Sequence, residues 1–177
     1  GFEIYCDPMD QRSLWQTLWS AGQPYDMTPF GMRAMMSLRL DKSFGSWLAE
    51  FSPDYAAGET GMDRFISFKK NSDFIGRAAA EAERANPPAR QLVTFIVDAD
   101  NADAVGYEPV FIEGTVQGFC TSGGYSHFAA KSVAFALIPR TAVREGLKVQ
   151  IEILGKMCDA TLFTTALLDP EGHIMRD

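Results

Sequence analysis

The sequence predicts an α+β body followed by a small antiparallel β-barrel. Three observations carry that expectation. Apolar residues at helical spacing dominate the first half, a Pro87-Pro88 pair interrupts the chain, and from Gln91 onward short apolar runs alternate with glycine turns. The proline pair sets the expected domain division, with residues 1–86 as an α+β domain and residues 89–169 as the barrel.

In chain order, Phe2, Ile4 and Cys6 alternate with Glu3 and Tyr5, which predicts a strand. A chain that opens inside a strand, without an initiator methionine, is expected to be a piece of a longer one whose sheet partners lie elsewhere. Asp7 and Pro8 read as a cap and first-turn pair. Leu14, Trp15, Leu18 and Trp19 then follow at helical spacing as core, until Gly22 and Pro24 stop the helix. A second helix is expected to start with Thr28 as N-cap and Pro29 at the first helical position, where a missing N–H costs nothing. Its Phe30, Met32, Met35, Met36, Leu38 and Leu40 leave almost no polar face, the pattern of a helix buried on most sides. Leu38 to Phe44 alternates as an emerging strand does, and Gly45 to Thr60 reads as a long irregular connection.

Phe65, Ile66 and Phe68 predict another strand and Lys69 to Asn71 its turn. A helix capped by Ser72 or Asp73 is expected through Arg84, ending at Asn86-Pro87-Pro88. Beyond it the pattern is strand after strand: LVTFIVDA, PVFIEGTVQGFCTSGGYS with a Gly114 hairpin and a Gly123-Gly124 turn, SVAFALIP, KVQIEIL, and MCDATLFTTAL after Gly155-Lys156. Closing such strands into a barrel removes unpaired edges, and Val93, Phe95 and Val97 are expected to face inward together.

With 177 residues and 46% hydrophobic content the chain can bury a real core, and its net charge of -7 without long basic runs argues against nucleic acid as partner. Cys6, Cys120 and Cys158 lie far apart without CxxC spacing or clustered histidines. Neither a disulfide framework nor a metal site is signalled, and each cysteine reads as buried or half-buried. No basic-then-apolar leader and no apolar run of membrane length is present, so the expected setting is cytoplasmic, with no membrane partner.

Arg33 is the chemically conspicuous residue of the apolar second helix. A guanidinium away from water needs an anion. Two readings stand: an internal ion pair with Glu59 or Asp41, or the carboxylate of a bound ligand.

The order GFEIY, GMRAMMSLRLDKSFG, GETGMDRF, DFIGRAA and EPVFIEGTVQGFCTSGGYSHFAAKSVAFALIP resembles the C-terminal portion of the T-protein family. These are the tetrahydrofolate-dependent aminomethyltransferases of the glycine cleavage system. SLRLDKSFGSW, PDYAAGETGMDRF and TSGGYSHFAAKSVA look most like the folate-binding C-terminal region of sarcosine and dimethylglycine dehydrogenases. The resemblance implies the second part of a folate-binding aminomethyltransferase body followed by a C-terminal barrel. It implies tetrahydrofolate as cofactor, a carboxylate at Glu3 to hold the pterin ring, and an arginine at Arg33 to clamp the glutamate end of the folate tail. Glu3 and Arg33 are then expected to line one cavity. Glu59 also matches the family pattern, as a ligand contact or as a structural partner of Arg33 or Arg39. The family's catalytic aspartate belongs to an N-terminal half that precedes this stretch, so no catalytic residue is assigned here and that half is the expected intramolecular partner. A flavin is expected only where an upstream domain carries it. GFEIY has Phe2 where relatives often carry tyrosine, and WLAEF replaces a more polar stretch.

The functions implied are one-carbon transfer from glycine or an N-methylated glycine derivative to tetrahydrofolate, folate-dependent demethylation of another methylated compound, or a non-catalytic folate-binding or assembly module. Trp47 reads as a stacking residue or a core plug, and Tyr125 and His127 as plain turn residues or loop contacts to a ligand. His173 receives no role.

Overall fold

Residues 2–174 and 176 are described in the computed structural model, and Gly1, the first residue of the expected opening strand, lies outside them. The chain divides into two units, residues 1–34 and 35–177.

In the first unit the expected strand does not form. The described residues before Asp7 are neither helix nor strand, because alternation supplies a face but no neighbouring strand satisfies the backbone there. Helix α1 runs Gln11–Gly22 and buries no residue. Its Trp15 and Trp19 stack at 5.9 Å on the helix surface instead of entering a core, and Trp15 is 56% exposed. A 3₁₀ turn over Gln23–Tyr25 follows, closed by Asp26 in the left-handed region. Thr28 donates its hydroxyl to the Asp26 carbonyl and so does not cap the next helix, which starts later than Pro29: α2 spans Met32–Asp41.

That helix is also less buried than its composition suggests, and it runs through the stretch expected to emerge as a strand. Met35 and Leu38 remain exposed, and Leu40 in the last turn is the apolar residue that is fully buried, against Val133 and Phe135. In the second unit α2 is followed by α3 (Ala57–Thr60), a 3₁₀ turn (Met62–Phe65) and α4 (Arg77–Ala85). Phe65, Ile66 and Phe68 are not a strand. Gly61, at φ 73, opens a tight turn whose Asp63 carbonyl accepts from the Ile66 N–H, so the apolar run is coiled before it can extend. Asp73 accepts from its neighbour Phe74, and α4 begins only after Gly76.

From Arg90 the barrel follows the sequence closely: β1 (Arg90–Val97), β2 (Pro109–Ile112), β3 (Thr115–Ser126), β4 (Lys131–Pro139), β5 (Lys148–Ile153) and β6 (Lys156–Phe163). They close in the order β1-β4-β3-β2-β5-β6, each neighbour antiparallel, so no edge is left unpaired. Val93, Phe95 and Val97 point into the interior with Val110, Cys120, Ile151 and Leu162. Strand β4 is buried almost throughout because its outward residues are covered as well.

Gly123 and Gly124 do not make a turn. Strand β3 passes through them, and the chain reverses over residues 127–130. A Cβ on Gly123 would come within 2.5 Å of the Ala104 carbonyl oxygen and 2.9 Å of that of Val133. The glycine serves close backbone approach, a role that composition alone does not separate from a turn.

Candidate functional site

Glu3 lies exposed in the extended opening segment, and its Oε2 accepts a hydrogen bond from the Tyr5 hydroxyl at 2.8 Å. Asp7 accepts from the Met9 N–H at 3.0 Å and turns the chain toward α1. Between the segment and the helix runs a groove of about 480 Å³, lined by Ile4, Tyr5, Cys6, Leu14, Trp15 and Leu18 among others. Arg33 sits in the first turn of α2 and is exposed. Neither Glu3 nor Arg33 lines that groove, which therefore does not bring the two together.

The internal pairing considered for Arg33 is not the one found. Glu59 pairs with Arg90 at 2.8 Å and accepts from the Ala56 N–H at 2.9 Å, and Asp41 accepts from the buried Ser126 hydroxyl. Among the described residues Arg33 has no ion-pair partner.

The buried cation of α2 is Arg39. Its guanidinium meets Glu50 at 3.4 Å, donates to the Ser122 hydroxyl at 2.9 Å and the Phe44 carbonyl at 3.1 Å, and lies 5.2 Å from the Phe135 ring centroid. Glu50 is wholly buried and also accepts from Ser46 N–H and from Thr121 and Ser122. Burial lowers the Arg39 pKa from its ordinary value, and Glu50 acts in the opposite direction. With Ser37 donating to the Tyr125 carbonyl at 2.7 Å, the second half of α2 is tied to strand β3 by side chains two residues apart. Sequence reasoning missed this node. Its signal was an arginine between two leucines in SLRLD, with its acid eleven positions on in an unpatterned loop.

The remaining candidates disperse. Trp47 is exposed and meets Phe51 edge-on at 5.7 Å; Tyr125 and His127 form a T-shaped pair at 5.1 Å at the β3–β4 reversal. His173 contributes its N–H to Asp169 at 2.8 Å. Cys6 is exposed, unlike the expectation, while Cys120 is wholly buried and its thiol is pushed up to about 12 by burial first and by Glu108 second.

Chemically, an exposed carboxylate accepts an adjacent pair of N–H donors and an exposed guanidinium clamps a carboxylate. Among the described residues no His, Cys, Asp and Glu cluster is arranged to hold a metal ion, and no helix is long and apolar enough to cross a membrane.

Residues 1–70 match the GCVT N-terminal domain and residues 90–169 the glycine cleavage T-protein C-terminal barrel domain. The chain is similar to the mitochondrial dimethylglycine dehydrogenase of Mus musculus, at 36% identity over 168 residues, covering 95% of this chain and 19% of that protein. It is also similar to an aminomethyltransferase of Streptomyces avermitilis, at 35% identity over 161 residues, covering 88% of this chain and 42% of the relative. In fold it resembles the crystal structure of glycine cleavage system aminomethyltransferase T from Bartonella henselae, with a TM-score of 0.77, 21% identity, and coverage of 90% of this chain and 44% of that one. The chain thus spans about a fifth of the dehydrogenase and less than half of the transferases it matches.

Proposed function

Because the chain belongs to the glycine cleavage T-protein family, we propose that it forms the folate-holding part of a tetrahydrofolate-dependent one-carbon transferase. The observation that supports this reading is the exposed Glu3 carboxylate, oriented by the Tyr5 hydroxyl, on the same unit as the exposed Arg33. In the proposal Glu3 accepts the adjacent N–H donors of the pterin ring, and Arg33 clamps the glutamate carboxylate of the tail. Tyr5 holds the Glu3 carboxylate in one orientation and so reduces the freedom lost on binding. Tetrahydrofolate, when bound, supplies the amine that captures the one-carbon unit. Fixing the ligand at both ends orders that amine against the incoming carbon, and closure of the site limits loss of the carbon to water.

The proposed carbon donor is an N-methylated glycine derivative such as dimethylglycine or sarcosine. Similarity to dimethylglycine dehydrogenases over 95% of the chain supports it. The proposal divides the chain into a partial folate-binding domain, 1–86, and a barrel domain, 89–169. It also assigns the catalytic aspartate, the opposite wall of the site, and any flavin to sequence outside these residues. A cytoplasmic setting is kept as part of the proposal, although the mouse and human relatives are named as mitochondrial.

Titrating tetrahydrofolate into the 177-residue chain and into the longer protein proposed to contain it tests the reading. Weak or absent binding by the chain and firm binding by the longer protein are expected, since charged contacts reach full strength only where water is excluded. Failure of the longer protein to bind tetrahydrofolate would refute the proposal.

A further inference from the structure

In the second unit, the turn after α3 and helix α4 border an open cleft with two adjoining chambers that differ in chemistry. The outer chamber, about 360 Å³, is lined by Arg64, Lys69 and Arg84 with Asp63 as its acid. The inner chamber, about 260 Å³, presents Ala79, Ala80, Pro87 and Pro88 beside Glu83 and Arg140. Asp63, Ile66, Phe68 and Arg84 line both, so the chambers adjoin. The cavity has a sequence cause. Helix α4 reads RAAAEAERA, and the face carrying Ala79, Ala80, Glu83 and Arg84 offers methyl groups where a larger side chain would fill the space.

The charges around the cleft fall into two sets. Framework charges are engaged: Arg77 donates to the carbonyls of Phe68 and Ser72 and pairs with Glu81 at 3.0 Å. Arg140 donates to Gly58 and Pro88 carbonyls at 2.7 and 2.8 Å, and Glu83 accepts from the Gly58 N–H. Arg64, Lys69 and Arg84 have no ion-pair partner among the described residues. Arg84 lies 4.8 Å from the Phe68 ring centroid, which makes a flat cationic and aromatic wall shared by both chambers. A local excess of three cations over one acid, in a chain of net charge -7, leaves the outer chamber complementary to an anion.

We propose that this cleft binds a small aromatic monocarboxylate, its carboxylate among Arg64, Lys69 and Arg84 and its ring against Phe68, Ala79 and Ala80. The residues are separate from Glu3 and Arg33, and the inference does not rest on the folate reading. A cleft of this combined size, with alanine, proline and aromatic surface beside a cationic rim, is of the kind that takes small molecules. The anion needs the cations, and the ring needs the space that the alanines leave.

Phenylacetate titrated into the 177-residue chain, followed by amide ¹H–¹⁵N shifts, tests the proposal. Saturable shifts are expected at residues 63–69 and 79–86. Arg84→Gln and Lys69→Gln should each weaken binding about tenfold, as expected when one charge-assisted hydrogen bond is removed. Neutral phenylacetamide should bind about tenfold more weakly for the same reason. Inorganic phosphate, which lacks the ring, should leave Ala79 and Ala80 unshifted. Unchanged barrel amides show whether each variant is folded, and Lys69→Gln, with its exposed side chain, carries the test if Arg84→Gln is not. Equal binding of phenylacetamide, equal binding of phosphate, saturable shifts confined to other residues, or no saturable shift would each overturn the proposal.

Discussion

Arg39 and Glu50 face each other at 3.4 Å, with Glu50 fully buried and the Ser122 hydroxyl bonded to both. The pair joins α2 and the loop after it to strand β3, and so connects the irregular part of the second unit with the barrel. Removing one partner leaves the other charged and buried. Glu50→Ala is therefore expected to destabilise the chain by about 3 to 5 kcal/mol, because an uncompensated interior charge costs more than the pair contributes. Urea unfolding measures it, and a loss under about 1 kcal/mol, the scale of exposed pairs, would contradict the assigned role.

The cysteines should differ sharply in reactivity. Cys120 is wholly buried with its thiol pushed up to about 12, so at pH 8 it remains protonated as well as inaccessible, whereas Cys6 is exposed. Alkylation of the folded chain at pH 8, read by mass spectrometry, should label Cys6 and spare Cys120. Comparable labelling of the two in the folded state would contradict the closed barrel interior.

The segment after β6 is fastened through Asp169. Desolvation works to raise its pKa, but the His173 N–H, Lys42 and the Ile174 N–H outweigh that and hold it below the ordinary value. Lys42 also donates to the Asp169 carbonyl, and Leu168 N–H donates to the Asp41 carbonyl at 2.9 Å. With the folded pKa depressed, the stabilisation is fully present above the ordinary carboxylate value of about 3.9 and is lost as pH falls through the lower folded value. Amide exchange at Leu168 and His173 should accelerate in that acid window before the barrel amides do. Simultaneous loss would show that the segment is not a separately released element.

Legibility in the sequence followed the range of the interactions. The barrel strands were readable because alternation, as in Val93, Phe95 and Val97, and turn glycines such as Gly114 are local features that closure satisfies. The first residues also alternate, yet form no strand, because pairing is not local and none of the described strands pairs with them. Gly123 looked like a turn residue because nothing within a few positions announces the Ala104 carbonyl that crowds it. Arg33 drew notice for its apolar neighbours, but only the last turn of α2 is fully buried, and the internal cation proved to be Arg39. Glu3 was marked by family resemblance alone, since an exposed glutamate carries no signal in composition or spacing.

The central claim is that Glu3 holds the pterin end and Arg33 the glutamate end of a reduced folate. Its most direct test compares tetrahydrofolate with tetrahydropteroate, which lacks the glutamate, on the longer protein and its Glu3→Ala and Arg33→Ala variants. Glu3→Ala should weaken both ligands, and Arg33→Ala should weaken tetrahydrofolate alone, by about 1.5 to 3 kcal/mol for each charge-assisted hydrogen bond removed. Undiminished binding of tetrahydrofolate by the Glu3→Ala variant, or an equal weakening of both ligands in Arg33→Ala, would contradict the assignment.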